Sequence, residues 1–343
     1  MRTSMLFKSF TTLVVVPGIA ACGPKASTAD DLAVRPRTIG YVERLEPRLD
    51  VLVPPNAVFE ILADGHEWTE GPVWVPALHA VLYSDIPNNA IYRWSEGARA
   101  SVWLTPSGYT GTVERGGETG SNGLALDSDG RLVLAQHGDR RIARLEAPLN
   151  GPEPVFTTLT GRFEGKRYNS PNDLAIRSNG DVYFTDPPYG LEQGVDDPAK
   201  ELAVHGVYRL AMDGSVTLLV NELSRPNGIA FSPTEETLYV ANSDPGQGVI
   251  MAYELQEDGN LASGRVFFGS WGDGMAVDQQ GNVYVASGGR GVLVIAPDGT
   301  HLGSLVTGER TSNCTFGDDG STLYVTSDMY LVRIRLHTKG VGF

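Results

Sequence analysis

Short runs of alternating apolar and polar residues fill most of this chain, and Gly, Asn or Asp interrupts them at close intervals. Leu132-Val133-Leu134 follows Ser128-Asp129-Gly130-Arg131, Val182-Tyr183-Phe184 follows Ser178-Asn179-Gly180-Asp181, and Val283-Tyr284-Val285 follows Gln280-Gly281-Asn282. Asn-Gly and Asp-Gly steps between period-two runs signal hairpins, because these residues enter left-handed backbone at low cost. A further strand candidate follows each hairpin, as in Gly206–Leu210 and Val292–Ile295. With 41 Gly and 21 Pro in 343 residues, the chain is built for many short strands and turns rather than long helices.

The strand units repeat. Each opens on an acid or amide ahead of an apolar stretch: Glu70-Gly71-Pro72-Val73, Asn122-Gly123-Leu124-Ala125, Asn172-Asp173-Leu174-Ala175, Asn227-Gly228-Ile229-Ala230, Asp273-Gly274-Met275-Ala276 and Asn313-Cys314-Thr315-Phe316. A period of 40–55 residues with three or four strands per unit predicts a propeller, and six units predict six blades. The fold class is therefore all-β, a six-bladed β-propeller over residues 56–343. Closing the ring requires the two chain ends to share a blade, and the strand candidate within 55–63 is placed to complete the blade ending at Leu331–Arg335.

Equivalent positions of the blades lie at one radius and height, so the six unit starts predict a ring of oxygen side chains around a central channel. Six such donors suit a hard cation such as Ca2+, which takes six to eight oxygen ligands. Zinc or copper would call for His or Cys, and neither recurs in the pattern. Asn-Gly and Asp-Gly are also ordinary turn pairs, so the same residues fit a purely structural reading.

The ends and the charge narrow the setting. Residues 1–21 combine a basic start, a short apolar core and small residues before Cys22, the form of an export signal. Ile19-Ala20-Ala21-Cys22 has the form of a bacterial lipobox, which predicts lipidation of Cys22 and a membrane anchor in the periplasm, with Gly23 favouring the outer membrane. Residues 22–55, with Pro24, Pro36, Pro47, Pro54 and Pro55, are predicted to be a tether and approach segment. Net charge is −14, and removing the leader with Arg2 and Lys8 leaves 25 basic against 41 acidic groups, or −16. That balance argues against nucleic acid as a partner, because its binding relies on phosphate neutralisation. Two cysteines exclude a disulfide framework, and Cys314 is expected to be a small buried apolar residue.

Several stretches together resemble the senescence marker protein/gluconolactonase/luciferin-regenerating-enzyme family. They are Trp68-Thr69-Glu70-Gly71-Pro72-Val73-Trp74, Ser84-Asp85-Ile86-Pro87-Asn88-Asn89, Ser121-Asn122-Gly123-Leu124, His137-Gly138-Asp139-Arg140-Arg141, Asn169-Ser170-Pro171-Asn172-Asp173, Phe184-Thr185-Asp186-Pro187-Pro188-Tyr189-Gly190, Arg225-Pro226-Asn227-Gly228 and Asp273-Gly274-Met275. The resemblance spans about residues 60–336. It implies a six-bladed propeller with a divalent cation, usually calcium, in the channel. It implies that Glu70, Asn227 and Asp273 are metal ligands, that Asn172 completes the sphere or touches substrate, and that Asp273 is the general base or nucleophile. Some family members carry an arginine two residues before the position of Asn172, where this chain has Ser170.

The resemblance further implies a calcium-dependent hydrolase that opens a sugar lactone. Asp173, His137, Asp186 and Tyr189 are expected at the substrate, with Trp68, Trp74 and Tyr109 as further rim candidates. Asn122 and Asn313 are expected to hold the blades in place. A phosphotriesterase using the same metal and carboxylate, and a lipid-anchored binding propeller without catalysis, are the competing readings. No G-x-S-x-G elbow and no Gly-rich phosphate loop occurs, which disfavours serine hydrolases and nucleotide enzymes.

Overall fold

A computed structural model describes residues 36–343. The lipobox, Cys22 and the expected tether as far as residue 35 lie outside the described residues. Six antiparallel sheets follow one another along the chain as six blades of a β-propeller. Blades 1 to 4 each comprise four consecutive strands, beginning at Thr69–Val75, Ser121–Leu126, Leu174–Ile176 and Pro226–Phe231. The first strand of each blade lies innermost and the fourth outermost.

The predicted hairpins form as written in the sequence. Around Gly130, Gly180 and Gly281 one backbone pattern recurs: Asp127, Arg177 and Asp278 each receive a hydrogen bond from the glycine N–H. Those glycines have φ of 75°, 93° and 83°, the left-handed backbone that the turn demands.

Blades 5 and 6 are closed by the N-terminal segment. Phe59–Ala63 pairs antiparallel with Tyr330–Arg335 in blade 6, as expected from the sequence, and Thr38–Ile39 adds a fifth strand beside it. Tyr41–Arg44 pairs with His301–Val306 in blade 5. A short helix, Leu49–Leu52, buries Leu49 and Leu52 in the core shared by these two blades. The expected tether over 22–55 therefore ends near residue 37, and the propeller begins there rather than at 56. Proline spacing concealed this, because Pro47, Pro54 and Pro55 sit in connections between elements that are themselves too short to carry a periodic signal.

Aliphatic and aromatic side chains between neighbouring sheets form the core, in clusters that each span two blades. Trp74 stacks on Tyr324 between blades 1 and 6 and does not belong to a rim. Cys314 is buried, and its thiol donates to the Tyr284 carbonyl at 3.4 Å. No helix among the described residues is long and apolar enough to cross a membrane.

Candidate metal and substrate site

The glycines that follow the unit starts of blades 1, 2, 4 and 5 are not turn residues. A Cβ on Gly228 would overlap the carbonyl oxygen of Asp273 in the next blade, and a Cβ on Gly71 would overlap that of Asn122. At these two positions the innermost strands meet so closely that only glycine fits. Gly123 donates its N–H to the Asn172 carbonyl at 2.7 Å, and Gly274 donates to the Ser312 carbonyl at 2.8 Å.

This contact resets the ring. Ser312 stands to Gly274 as Asn172 stands to Gly123, so the blade 6 equivalent of the other starts is Ser312, not Asn313. Asn313 is instead equivalent to Asp173 and to the glycines of the other blades. Both residues carry a side chain where Gly123, Gly228 and Gly274 have none, and both turn an oxygen back onto the next N–H, at 2.8 and 2.9 Å. The predicted single ring of six is thus two layers. Glu70, Asn122, Asn172, Asn227 and Asp273 face one mouth of the channel, while Asp173 and Asn313 line the other.

The first mouth is a cavity of 450 Å³ whose wall also includes Trp68, Ile86, Glu118, Tyr189, Arg225, Ser243, Trp271 and Arg310. The innermost strands are irregular here. Their pairing slips between Glu70 and Val73, between Ser121 and Leu124 and between Pro226 and Ile229. Such bulges break the two-residue alternation and turn the polar side chains toward the axis.

Four of the expected site residues, Glu70, Asn172, Asn227 and Asp273, converge in this cavity with Tyr189. The Tyr189 hydroxyl lies 2.6 Å from Ser243 Oγ, which also accepts from Asn227 Nδ2 at 3.1 Å. Three other expected residues do not line it. Asp173 lies one layer below. His137 is fully buried behind the amides of Asn122 and Asn172, with Nε2 at 3.5 and 3.4 Å from their Nδ2 atoms. Asp186 is fully buried and accepts from the backbone N–H groups of Asn169 at 2.8 Å and Ser170 at 2.7 Å. It secures the approach to its blade's innermost strand, as Asp85 does for Glu67 and Trp68, and Asn242 for Arg225. Asp186 therefore acts on the loop that carries Asn172 rather than on a substrate. Tyr109 packs against Gly138 and leaves the wall to others.

Trp68, an expected rim residue, does line the wall, and sequence reasoning missed three residues that share its register. Trp68, Arg225, Trp271 and Arg310 stand two residues before Glu70, Asn227, Asp273 and Ser312. Ser170 occupies the same register in blade 3, so the arginine absent there is supplied from blades 4 and 6. The Arg310 guanidinium lies 5.2 Å from the Trp68 ring centre, a cation–π contact that orients it over the mouth. The signal was legible as an offset from the repeat, provided blade 6 was counted from Ser312.

The electrostatics set the chemistry. Burial raises Glu70 well above the usual carboxylate range, and the neighbouring Asp273 raises it further. Asp273 is likewise raised well above its usual range, by burial first, then by Asp173 and Glu118. Asp173 is pushed up to about 7 by burial. Carboxylates held together out of water favour either protonation or a shared cation. Among the described residues no group of three His, Cys, Asp or Glu is arranged to hold a metal ion. The candidate donors are two carboxylates completed by amides, an all-oxygen set that suits a hard divalent cation. Asn122 Oδ1 adds an observation of the same kind, since it is buried without any hydrogen-bond partner.

Fold and site together define a six-bladed propeller with an acidic, oxygen-lined pocket at one end of its axis. Residues 68–329 match the family described as SMP-30/Gluconolactonase/LRE-like region, and the chain belongs to that family. It is 38% identical over 319 residues to a gluconolactonase of Zymomonas mobilis, covering 88% of each chain. It is 28% identical to a pentonolactonase of Haloferax volcanii, covering 75% of this chain and 80% of that one. Among solved structures, a gluconolactonase of Xanthomonas campestris superposes with a TM-score of 0.76 at 34% identity, covering 88% of this chain and 99% of that one. A calcium-binding regucalcin of Agrobacterium tumefaciens, at 22% identity and a TM-score of 0.63, shares the fold.

Proposed function

We propose that this protein hydrolyses a sugar lactone with the help of a divalent cation, most simply Ca2+, held by Glu70, Asn172, Asn227 and Asp273. The observation that carries the reading is the meeting of the buried, mutually repelling carboxylates Glu70 and Asp273 with unspent amide oxygen in a 450 Å³ cavity. The lactone-hydrolysing relatives named above support the substrate class. Bound there, the cation would polarise the lactone carbonyl and stabilise the oxyanion of the tetrahedral intermediate.

The chain's own groups do the rest. Asp273 takes the proton of the attacking water, and a cation beside it would keep its carboxylate ionised and free to accept that proton at neutral pH. Trp68, Ile86 and Trp271 present flat apolar surface that displaces water from one side of a sugar ring. Arg225 and Arg310 offer guanidinium donors to the ring hydroxyls. Tyr189 and Ser243 hold Asn227 from behind.

The test is hydrolysis of glucono-δ-lactone, followed by acid release. Turnover should disappear on chelation and return with Ca2+. Absence of turnover on this and other aldonolactones would sink the reading. Export and lipidation at Cys22 are proposed from the leader alone. Radiolabelled palmitate should enter the expressed protein and be absent from Cys22→Ala.

A further inference from the structure

Each amide of the cavity has an acceptor behind it. For Asn227 the acceptor is Ser243 Oγ. For both Asn122 and Asn172 it is one atom, His137 Nε2, at 3.5 and 3.4 Å. We propose that Glu118 and His137 form a positioning pair that turns the Asn122 and Asn172 oxygens into the cavity, making Asn122 a fifth oxygen donor of the site. The proposal rests on the metal reading above.

The imidazole tautomer decides how the two amides face. His137 is fully buried, and among the described residues the acidic oxygen beside Nδ1 is Glu118 Oε2 at 3.1 Å. The approach is too bent for a full hydrogen bond, and Nδ1 has no other partner among the described residues. A carboxylate at that distance repels a lone pair and attracts N–H, so Nδ1 carries the proton and Nε2 is left an acceptor. An acceptor can face only the NH2 end of an amide. Both amides must therefore direct Nδ2 to His137 and Oδ1 away from it. The opposite tautomer would set a lone pair against Glu118 and draw one amide oxygen out of the cavity.

The result is visible at Asn122. Its Oδ1 is buried with no partner while its Nδ2 is spent on His137. Leaving a buried oxygen without a partner costs stability, so one that the fold holds in place calls for a ligand. Asn122 was expected to serve only the packing of the blades. The geometry gives it the same presentation as Asn172, one blade further round the axis. Glu118 reaches the pair from the long connection between Ser101–Leu104 and Ser121–Leu126, so that connection contributes to the site as well as covering it.

The experiment measures Ca2+ affinity by calorimetry on the full chain stripped with chelator, with the melting temperature of each stripped variant as a check on folding. Wild type should bind one ion in the cavity. Asn122→Ala should bind about tenfold more weakly, and His137→Asn about 10- to 100-fold more weakly, the range of losses seen for groups that orient metal ligands. Asparagine reaches the place of Nδ1 but not that of Nε2. Glutamine reaches the place of Nε2, so His137→Gln should recover most of the loss. Equal losses in His137→Asn and His137→Gln would assign His137 a packing role and overturn the proposal. Unchanged affinity in Asn122→Ala would also overturn it. If His137→Asn does not fold, Asn122→Ala decides. Wild type that binds no Ca2+ would instead overturn the metal reading itself, a different failure from tight binding in every variant.

Discussion

The two mouths of the channel are built from the same six innermost strands and have opposite characters. At one end, the strand starts and the residues just before them line 450 Å³ with Glu70, Asn122, Asn172, Asn227 and Asp273. At the other, the same strands continue as Val73, Leu126, Ile176, Phe231, Val277 and Phe316 around 610 Å³. Asp173 and Asn313 mark the boundary. The larger opening is walled mainly by apolar strand residues, with Asp173 the acid nearest its axis, and the smaller gathers Glu70, Glu118 and Asp273. A propeller needs apolar contact along its strands to hold its blades together. It can set polar groups on the axis only where the ladder is interrupted, at the bulged strand starts.

The sharpest way to test this contrast is to delete chemistry at one end and packing at the other. Asp273→Ala should lower kcat for lactone hydrolysis by about 10³-fold, within the range for a lost general base. The same variant, melted in chelator, should be at least as stable as wild type, because it loses a buried and repelled carboxylate. Phe316→Ala at the opposite mouth should lower stability by about 3–5 kcal/mol in denaturant titration, the usual cost of emptying a buried phenylalanine site, and leave kcat of the folded fraction unchanged.

A third expectation concerns pH. Asp173 is raised from 3.8 to about 7 in the fold, and Glu70 and Asp273 are also raised. A carboxyl group with a raised folded-state pKa stabilises the fold fully below its unfolded value, and the contribution is lost as pH rises through the folded value. The chelated protein should thus lose melting temperature from about pH 4 through about pH 7, and Ca2+ should remove most of that fall. A chelated melt that is flat with pH would show that these carboxyl groups do not form a strained acidic centre. The smallest effect is expected at the wall. Arg225→Ala should raise KM for the lactone by about tenfold with kcat nearly unchanged, the signature of a contact made equally in the bound and transition states.

Much of this contrast was legible before any coordinates. The hairpin glycines at 130, 180 and 281, the six units and the closing strand at Phe59–Ala63 are local features or repeats, and local sequence carries them. The site was legible where a residue type recurs at a fixed offset, as at Glu70, Asn172, Asn227 and Asp273. It was misread in blade 6, where Asn313 imitates a unit start one residue late. It was misread at Asp186 too, whose partners are the backbone N–H groups of Asn169 and Ser170. Asp85, Asp186 and Asn242 each end the second strand of their blade, a repeat in its own right that identifies a structural latch and that chemistry-first reading mistook for a substrate contact.

The alternation of apolar residues and the spacing of turn glycines determined by themselves that this chain forms six small sheets, because strand and turn preferences act over a few residues. Which oxygens share a layer, which amides face His137 and which of the buried acids meet across the axis were decided only by the packing of the innermost strands into a ring. Most of those relations join residues of different blades, far apart in the chain. Their energies come from desolvation and from contacts across the axis, and neither exists until all six blades are in place.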